Sequence, residues 1–446
     1  RISKKLSLET NCVAFFISKI HSSKGSTQFF LSCRISGSKL EWSCSNFFAI
    51  IHSRLICNRN NKFCFHQMNY SRVIQEIFSQ FKGKKFSVKL WDGQEYFYGT
   101  GPLKTFTLVI KNEKTAQRLL AQGALGFGES YMEGRLQIEG DLEAYLRLRH
   151  QFKHVRRSLR LALATLLANW SMPRDRKDQI AYHYDLGNDF FQMILDGETM
   201  SYSAGRYEKG TEDLAQAQIK KLELVCKWLN LPKGSSVLDL GSGWGGFAKY
   251  AAKNKQWNIN GYTLSKAQLE YCCRLIKAND LEEFVSFEYR DMIENLPATK
   301  FDGVVMIESI EHVGQKKLPH FFNQLHKILK PGGSLVIQLT GRYKSRSVDP
   351  WTLKYVFPGG YLPTKDEVIS AAALAGFVVE EFCDDTPDYI LTITEWIKNL
   401  ESRRTEVEAK FGKPFYRLWE LWMHGAKVAF EVNSMNLFRI RFQCKK

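Results

Sequence analysis

Long apolar runs are the first thing this sequence lacks. No stretch approaches the roughly 20 apolar residues that a bilayer-spanning helix needs, and the longest candidate, "LRLALATLLANW", carries an arginine. The expectation is a soluble or peripheral protein. Paired-cysteine signals are missing too. Of ten cysteines, five precede residue 68, and Cys226, Cys272, Cys273, Cys383 and Cys444 show neither CxxC spacing nor histidines at zinc-site intervals. Neither a metal site nor a disulfide frame is indicated, and a reducing cytoplasm fits. Acids are scarce: 46 Asp and Glu stand against 63 Lys and Arg, a net charge of +17. Such an excess favours polyanions, either nucleic acid or an anionic lipid surface.

Residues 1–67 lack proline and methionine and hold only two acids, Glu9 and Glu41. No helical or strand period persists there, and no signal-peptide plan is clear. The expectation is a disordered leader or sequence foreign to the native protein, preceding Met68. From Phe86 the pattern becomes regular. "FSVKLWDGQEYFYG" alternates apolar and polar residues around Asp92-Gly93, a hairpin signal, and "TFTLVIKN" reads as another strand. Glycine-broken helices and a long basic helical stretch complete a small α+β domain over 68–165, followed by the linker "NWSMPRDRKD". Beyond it, within a second domain spanning 166–446, short apolar strands ("SSVLDLG", "WNINGYTL", "VSFEYRD", "FDGVVMIE", "GGSLVIQL") alternate with helical runs. That rhythm predicts an α/β fold with a mostly parallel sheet and helices on both faces.

"VLDLGSGWGGF" reads as strand, glycine turn, helix. Glycines let backbone N–H groups approach a ligand, and the following helix N-terminus favours an anion. A dinucleotide would want an acid about 20 residues on to hold its ribose, but that region reads "INGYTLSKAQ". S-adenosylmethionine fits better. Its carboxylate can sit at the turn, Asp239 can accept a hydrogen bond, Thr263, Ser265 and Gln268 offer polar contacts, and Asp291 ends the third strand of the series.

These motifs, in this order, resemble the cyclopropane-fatty-acid synthase family, which includes the mycolic-acid cyclopropane synthases and related lipid methyltransferases. "YHYDLGNDFFQMILDGETMSYSAGRY" (182–207), "GYTLSKAQ", "IESIEHVG", "FPGGYLPT" (357–364) and "FYRLWELWMHGAKVAF" carry the likeness, and "GFGESYMEGRLQIEGDLEAYLRL" resembles the amino-terminal domain of the phospholipid-acting members. The resemblance covers about 86–446. It implies a class I methyltransferase, Rossmann-like with a mostly parallel seven-stranded sheet, preceded by a lipid-facing accessory domain. Such enzymes transfer a methylene from S-adenosylmethionine to the cis double bond of a phospholipid acyl chain. It further implies cofactor contacts at Tyr202, Ser203, Asp239, Gly241, Gly243, Trp244, Gly245, Thr263, Leu264, Ser265, Gln268, Asp291 and Met292.

An alkene is a poor nucleophile, so the sulfonium methyl must be held close and dry. Attack leaves a carbocation-like centre, and a base then removes a proton. Family members hold a bicarbonate for this with a glutamate, a histidine, a tyrosine and backbone near a cysteine. Glu311 matches the glutamate, while Glu308 has no counterpart and reads as a cap or surface residue. His312 follows in family fashion, with a structural hydrogen bond as its expected role. The other positions depart: Ala204 stands for cysteine, Gln338 for histidine and Trp422 for tyrosine. Either another base serves or no ring closes, so a methyl-branched or methylene product is an open outcome. Cys444 lies where some relatives carry a cysteine once proposed as nucleophile, a role this chemistry does not require.

The segment from Arg147 to Arg160 carries six Arg and Lys and no acid, with Leu and Phe interleaved. It is expected to lie on anionic head groups, each basic residue contributing roughly 1 kcal/mol near the surface. The chain is therefore read as cytoplasmic and peripheral to the membrane. A homodimer is compatible with the sequence. Nucleic-acid methylation is disfavoured, because no Pro-Pro pair follows the fourth strand. The remaining alternatives are a methyltransferase acting on a small-molecule amine or other non-lipid acceptor, and a binding protein whose catalysis has lapsed.

Overall fold

The computed structural model describes residues 69–151, 165, 188–210, 212–293 and 296–445, with three strands between residues 16 and 43. The rest of the leader expected over 1–67, the linker 169–178, most of the basic stretch 147–160 and residues 182–187 lie outside the described residues. Two compact units divide the chain, Arg1–Asn69 and Tyr70–Lys446. In the first, Phe16–Lys19 (β1), Phe29–Ile35 (β2) and Ser38–Ser43 (β3) pair antiparallel in that order, strands that no alternation in the sequence announced.

The second unit holds two sheets. The smaller has the order β5-β4-β6-β7, from Phe86–Lys89 (β4), Glu95–Tyr98 (β5), Phe106–Ile110 (β6) and Leu136–Gly140 (β7). β4 and β5 form the expected hairpin: Leu90 donates its N–H to Gln94 O across Asp92-Gly93, and Gly93 takes the positive φ of 83° that the turn requires. Rings fill its core. Phe86 stacks on Phe106 at 5.1 Å, and Tyr145 packs edge-on to Phe106 and face-on to Phe127.

The larger sheet has the order β10-β9-β8-β11-β12-β14-β13. Ser236–Leu240 (β8), Asn258–Thr263 (β9), Val285–Tyr289 (β10), Phe301–Ile307 (β11) and Leu329–Gly341 (β12) run parallel. Phe377–Asp384 (β13) and Asn436–Cys444 (β14) are antiparallel to each other, and β14 is antiparallel to β12. Both faces of the central strands are covered. Val237, Val305 and Val336 enter one core, while their neighbours Leu238, Val304, Leu335 and Ile337 enter the other. This explains why these strands read as continuous apolar runs rather than alternating ones. Each such side chain contributes about 1.5–3 kcal/mol by leaving water.

The strand order reverses between β8 and β11. In open α/β sheets, ligands bind beyond the carboxyl ends of the strands at that point. Here the two ends are tied, since Ser309 Oγ donates to Leu240 O at 2.6 Å. Gly241, at φ 88°, is required there, because a Cβ would come within 2.5 Å of Ser309 Cβ.

The small sheet's helices dock on the larger part through charged pairs with ordinary hydrogen-bond partners. Glu129, only 5% exposed, receives bonds from Lys354 at 2.7 Å and Tyr355 at 2.8 Å and pairs with Arg118. Glu143 meets His424 at 3.0 Å and Lys427 at 2.8 Å. Tyr131 donates to Glu420 at 2.6 Å. A buried charge is tolerated only when so satisfied. Among the described residues, no helix is long and apolar enough to cross a membrane.

Candidate active site

Two cavities open at the reversal point. The first, about 560 Å³, is lined by the glycine turn and the ends of β8 and β9. Of the residues assigned to the cofactor from sequence, Tyr202, Ser203, Asp239, Gly241, Gly243, Trp244, Thr263, Leu264, Ser265, Gln268 and Met292 line it. Gly245 and Asp291 are not among the residues that line it. Gly245, at φ 81°, caps the helix Gly246–Lys255, and Asp291 accepts the N–H of Ile293 at 2.7 Å. Trp244 is fixed by donating to Asn188 Oδ1 at 2.8 Å. Thr263 donates to Gln268 Oε1 at 2.8 Å, and Ser265 caps the following helix through Gln268 N–H.

Charges in this cavity suit a zwitterion. Asp239 is 2% exposed, and its Oδ2 has no protein partner. Burial pushes its carboxyl up to about 7, so an arriving ammonium would complete it. Lys221, 1% exposed, lines the same space and donates to Ser203 Oγ at 3.0 Å. Burial pushes its amine down to about 8. Sequence reasoning missed Lys221 because it sits amid a helix, Leu214–Leu229, with unremarkable amphipathic spacing.

The second cavity, about 420 Å³, is largely apolar and aromatic. Leu146 and Arg149, from the helix Leu142–Arg149, line it together with Ile393, Trp396, Leu421, Trp422, Val428 and Phe430. Arg149, His150, Arg342 and Arg346 also line it. Tyr202, Glu308, His312 and Phe357 line both cavities, so the two share a wall at these residues. Aromatic faces crowd this junction. Tyr202 stacks on Trp396 at 5.0 Å and accepts from Trp422 Nε1 at 3.1 Å, and Phe357 meets Trp422 at 5.2 Å. Such faces favour a cationic centre.

Glu308 is the surprise. It follows β11 in a left-handed conformation, φ 52°, which turns its side chain inward rather than onto the surface. Its Oε1 accepts from Ala204 N–H and from Gln338 Nε2, both at 2.8 Å. Its Oε2 accepts from the Tyr389 hydroxyl at 2.5 Å. This tyrosine is carried by the helix Thr386–Ser402, whereas the indole at 422 bonds Tyr202 instead. Burial and the Glu308 charge raise the Tyr389 phenol well above 10, so it keeps the proton it donates. Gln338 is oriented from behind: Arg439, 1% exposed, donates from Nε to Gln338 Oε1 at 2.7 Å.

Glu311 lines the apolar cavity and accepts Thr340 N–H at 2.6 Å, while its Oε2 is enclosed without a partner. Burial and the neighbouring Glu308 push it up to about 8. It is therefore protonated at neutral pH and can donate, whereas Glu308 is surrounded by donors and accepts. His312 lines both cavities, and burial pushes its imidazole below the ordinary value. Cys444 is not brought to the site. It closes β14 in the apolar core, 3% exposed, and burial raises its thiol, the opposite of what a nucleophile needs.

A seven-stranded sheet of this order, with a glycine-turn cavity of this chemistry, defines a class I S-adenosylmethionine-dependent methyltransferase. Residues 172–440 match the family described as mycolic acid cyclopropane synthetase, and the chain belongs to it. Residues 73–154 match a domain described only as of unknown function. The cyclopropane-fatty-acyl-phospholipid synthase of Escherichia coli is 32% identical over 342 residues, covering 75% of this chain and 86% of that protein. The sphingolipid C9-methyltransferase of Komagataella phaffii is 31% identical over 336 residues, covering 70% and 68%. Among solved structures, the cyclopropane synthase MmaA2 of Mycobacterium tuberculosis superposes with a TM-score of 0.56 at 26% identity, covering 59% of this chain and 97% of that one. The mycolic acid cyclopropane synthase CmaA1, complexed with SAH and CTAB, gives 0.55 at 25%, covering 59% and 97%.

Proposed function

We propose that this enzyme transfers a one-carbon unit from S-adenosylmethionine to the double bond of an unsaturated acyl chain in a membrane phospholipid. The observation that carries the reading is the shared wall. A polar, zwitterion-suited cavity and an apolar slot meet at Tyr202, Glu308, His312 and Phe357. The cofactor supplies an electrophilic methyl group. Asp239, Lys221 and the turn around Gly243 would hold its polar end, and Trp244, Gln268 and Thr263 the rest. The slot's aromatic walls exclude water and present faces to the positive charge that attack leaves on the chain.

A membrane-surface acceptor is supported by the excess of 17 positive charges and by the arginines lining the slot. The relatives named for phospholipid and for sphingolipid acceptors keep the head group open. With the anion-holding positions altered, the product is either a cyclopropane ring or a methyl-branched or methylene chain.

The test is incubation with vesicles of monounsaturated phospholipid and S-adenosylmethionine labelled in its methyl, followed by mass spectrometry of the acyl chains. Label in the acyl chain is expected. Label confined to an amine, or absent from lipid while small amines are methylated, would favour the non-lipid alternative and overturn the reading.

A further inference from the structure

We infer that Glu308 takes the place of a bound bicarbonate, so that the proton acceptor for one-carbon transfer is part of the polypeptide. This deepens the proposed function and rests on it. Relatives are expected to grip an external anion with backbone near a cysteine, a histidine and a tyrosine. Here the corresponding groups are Ala204 N–H, the Gln338 amide and, from a different helix position than the sequence suggested, the Tyr389 hydroxyl. All three converge on one carboxylate, at 2.8, 2.8 and 2.5 Å. That carboxylate belongs to Glu308. It is planar and offers two charge-sharing oxygens, as bicarbonate does beside its hydroxyl, and these take up the donors that would otherwise grip the anion.

The surroundings are built for this arrangement. Gln338 also donates to Ala204 O at 3.0 Å, and Arg439 holds its oxygen, so its amide nitrogen can point only towards Glu308. A neutral histidine at 338, with one N–H and one acceptor nitrogen, could accept from Arg439 but could not also donate to both Ala204 O and Glu308. The departures at 204 and 338 therefore belong with Glu308 as one compensated set rather than standing as separate losses. Glu308 also lines both cavities, the position a base needs if it is to reach a proton on the carbon passing between them.

The alkene electron pair forms a carbon–carbon bond to the transferred methyl as its carbon–sulfur bond breaks, and the sulfur leaves neutral. Glu308 accepts one proton from the resulting cationic chain. If that proton comes from the transferred carbon, the released C–H pair closes a ring. If it comes from a neighbouring chain carbon, the pair forms a double bond beside a methyl branch. Glu308 then returns the proton to water.

The tests use the full chain in buffers stripped of carbon dioxide. The wild-type enzyme should turn over at an unchanged rate when bicarbonate is removed and restored. Glu308→Gln should lose at least about a hundredfold in kcat, the scale of a general base, and bicarbonate should not rescue it, since the amide still fills the place. Glu308→Gly suits the left-handed backbone and opens the three donors to solvent. It should be inactive alone and regain at least about tenfold on addition of bicarbonate or formate. A readout independent of activity is carbon-13 NMR of labelled bicarbonate, expected to broaden with Glu308→Gly and not with wild type. Circular dichroism and thermal melting serve as the fold control for both variants.

Wild-type activity that collapses without bicarbonate, full activity in Glu308→Gln, or bicarbonate binding by the wild type would each overturn the proposal. If a variant fails the fold control, the wild-type bicarbonate arms decide. If no acyl chain is modified by any form, the functional reading fails, while the NMR comparison still reports on Glu308.

Discussion

Arg439, on the antiparallel strand β14, holds Gln338, on the parallel strand β12, through a 2.7 Å bond from its Nε to the amide oxygen. The rest of the guanidinium is spent on Asp388 at 2.9 Å, on Asp385 and on Gly205 O at 2.6 Å. One buried cation thus sets the amide that faces Glu308 and the loop that carries Ala204.

Replacing Arg439 should therefore harm both stability and the site. Breaking a buried pair from one side costs about 3–5 kcal/mol, because the partner carboxylate is left desolvated. Arg439→Met is expected to lower the urea midpoint accordingly. Adding Asp388→Asn should recover part of the loss, since burial already pushes Asp388 above its ordinary value and the amide removes the charge.

Tyr389→Phe removes one donor from Glu308 and little packing, for the ring still lies 4.4 Å from Phe430. A hydrogen bond to a charged group is worth about 1.5–3 kcal/mol, so kcat should fall roughly ten- to hundredfold. The dissociation constant for S-adenosylmethionine should stay put, because Tyr389 lines the apolar slot and not the cofactor cavity. Single-turnover kinetics beside calorimetry would separate the two.

Glu311 gives a pH signature in stability. Its folded-state value is raised by burial and by Glu308, from 4.5 to about 8. Below 4.5 both folded and unfolded chains hold the proton, and the favourable contribution is complete. Between 4.5 and about 8 the unfolded chain releases it first, so stability falls as pH rises, by up to about 1.4 kcal/mol per unit. Glu311→Gln lacks that slope. The Tm difference between variant and wild type should widen from pH 5 to 8 in favour of the variant and level off above. A constant difference across that range would contradict the protonated state assigned to Glu311.

Asp239 gives a pH signature in binding. Burial raises it to about 7, and its enclosed Oδ2 lacks a partner. An ammonium ligand prefers the ionised form, so affinity for S-adenosylmethionine should climb from pH 6 to pH 8 with release of a proton to the buffer. Asp239→Asn should bind at least about tenfold more weakly, a charge-assisted hydrogen bond having been replaced by a neutral one. It should also show no proton release. Calorimetry in two buffers of different ionisation enthalpy measures both quantities.

Much of the frame was legible in the chain. Five apolar runs became β8 to β12, the Asp92-Gly93 pair became a hairpin turn, and the "GSGWGG" stretch became the glycine turn that lines the first cavity, because each depends on contacts within a few residues. Glu308 was misjudged for a physical reason. A glutamate after a strand ordinarily reads as a cap, and nothing local shows that φ 52° will turn it inward. Its partners come from β12 and from positions 104 residues before and 81 after. Trp422 and Cys444 were assigned by matching order along the tail, which does not reveal that Tyr389 reaches the junction or that Cys444 ends in the core.

The sequence alone determined the strand rhythm, the glycine turn and hence the cofactor class, since backbone conformation and apolar periodicity are written locally. Only the tertiary structure decided which of the two neighbouring glutamates faces the donors. That choice depends on desolvation and on hydrogen-bond partners gathered from distant strands and helices, and neither exists until the sheet has formed.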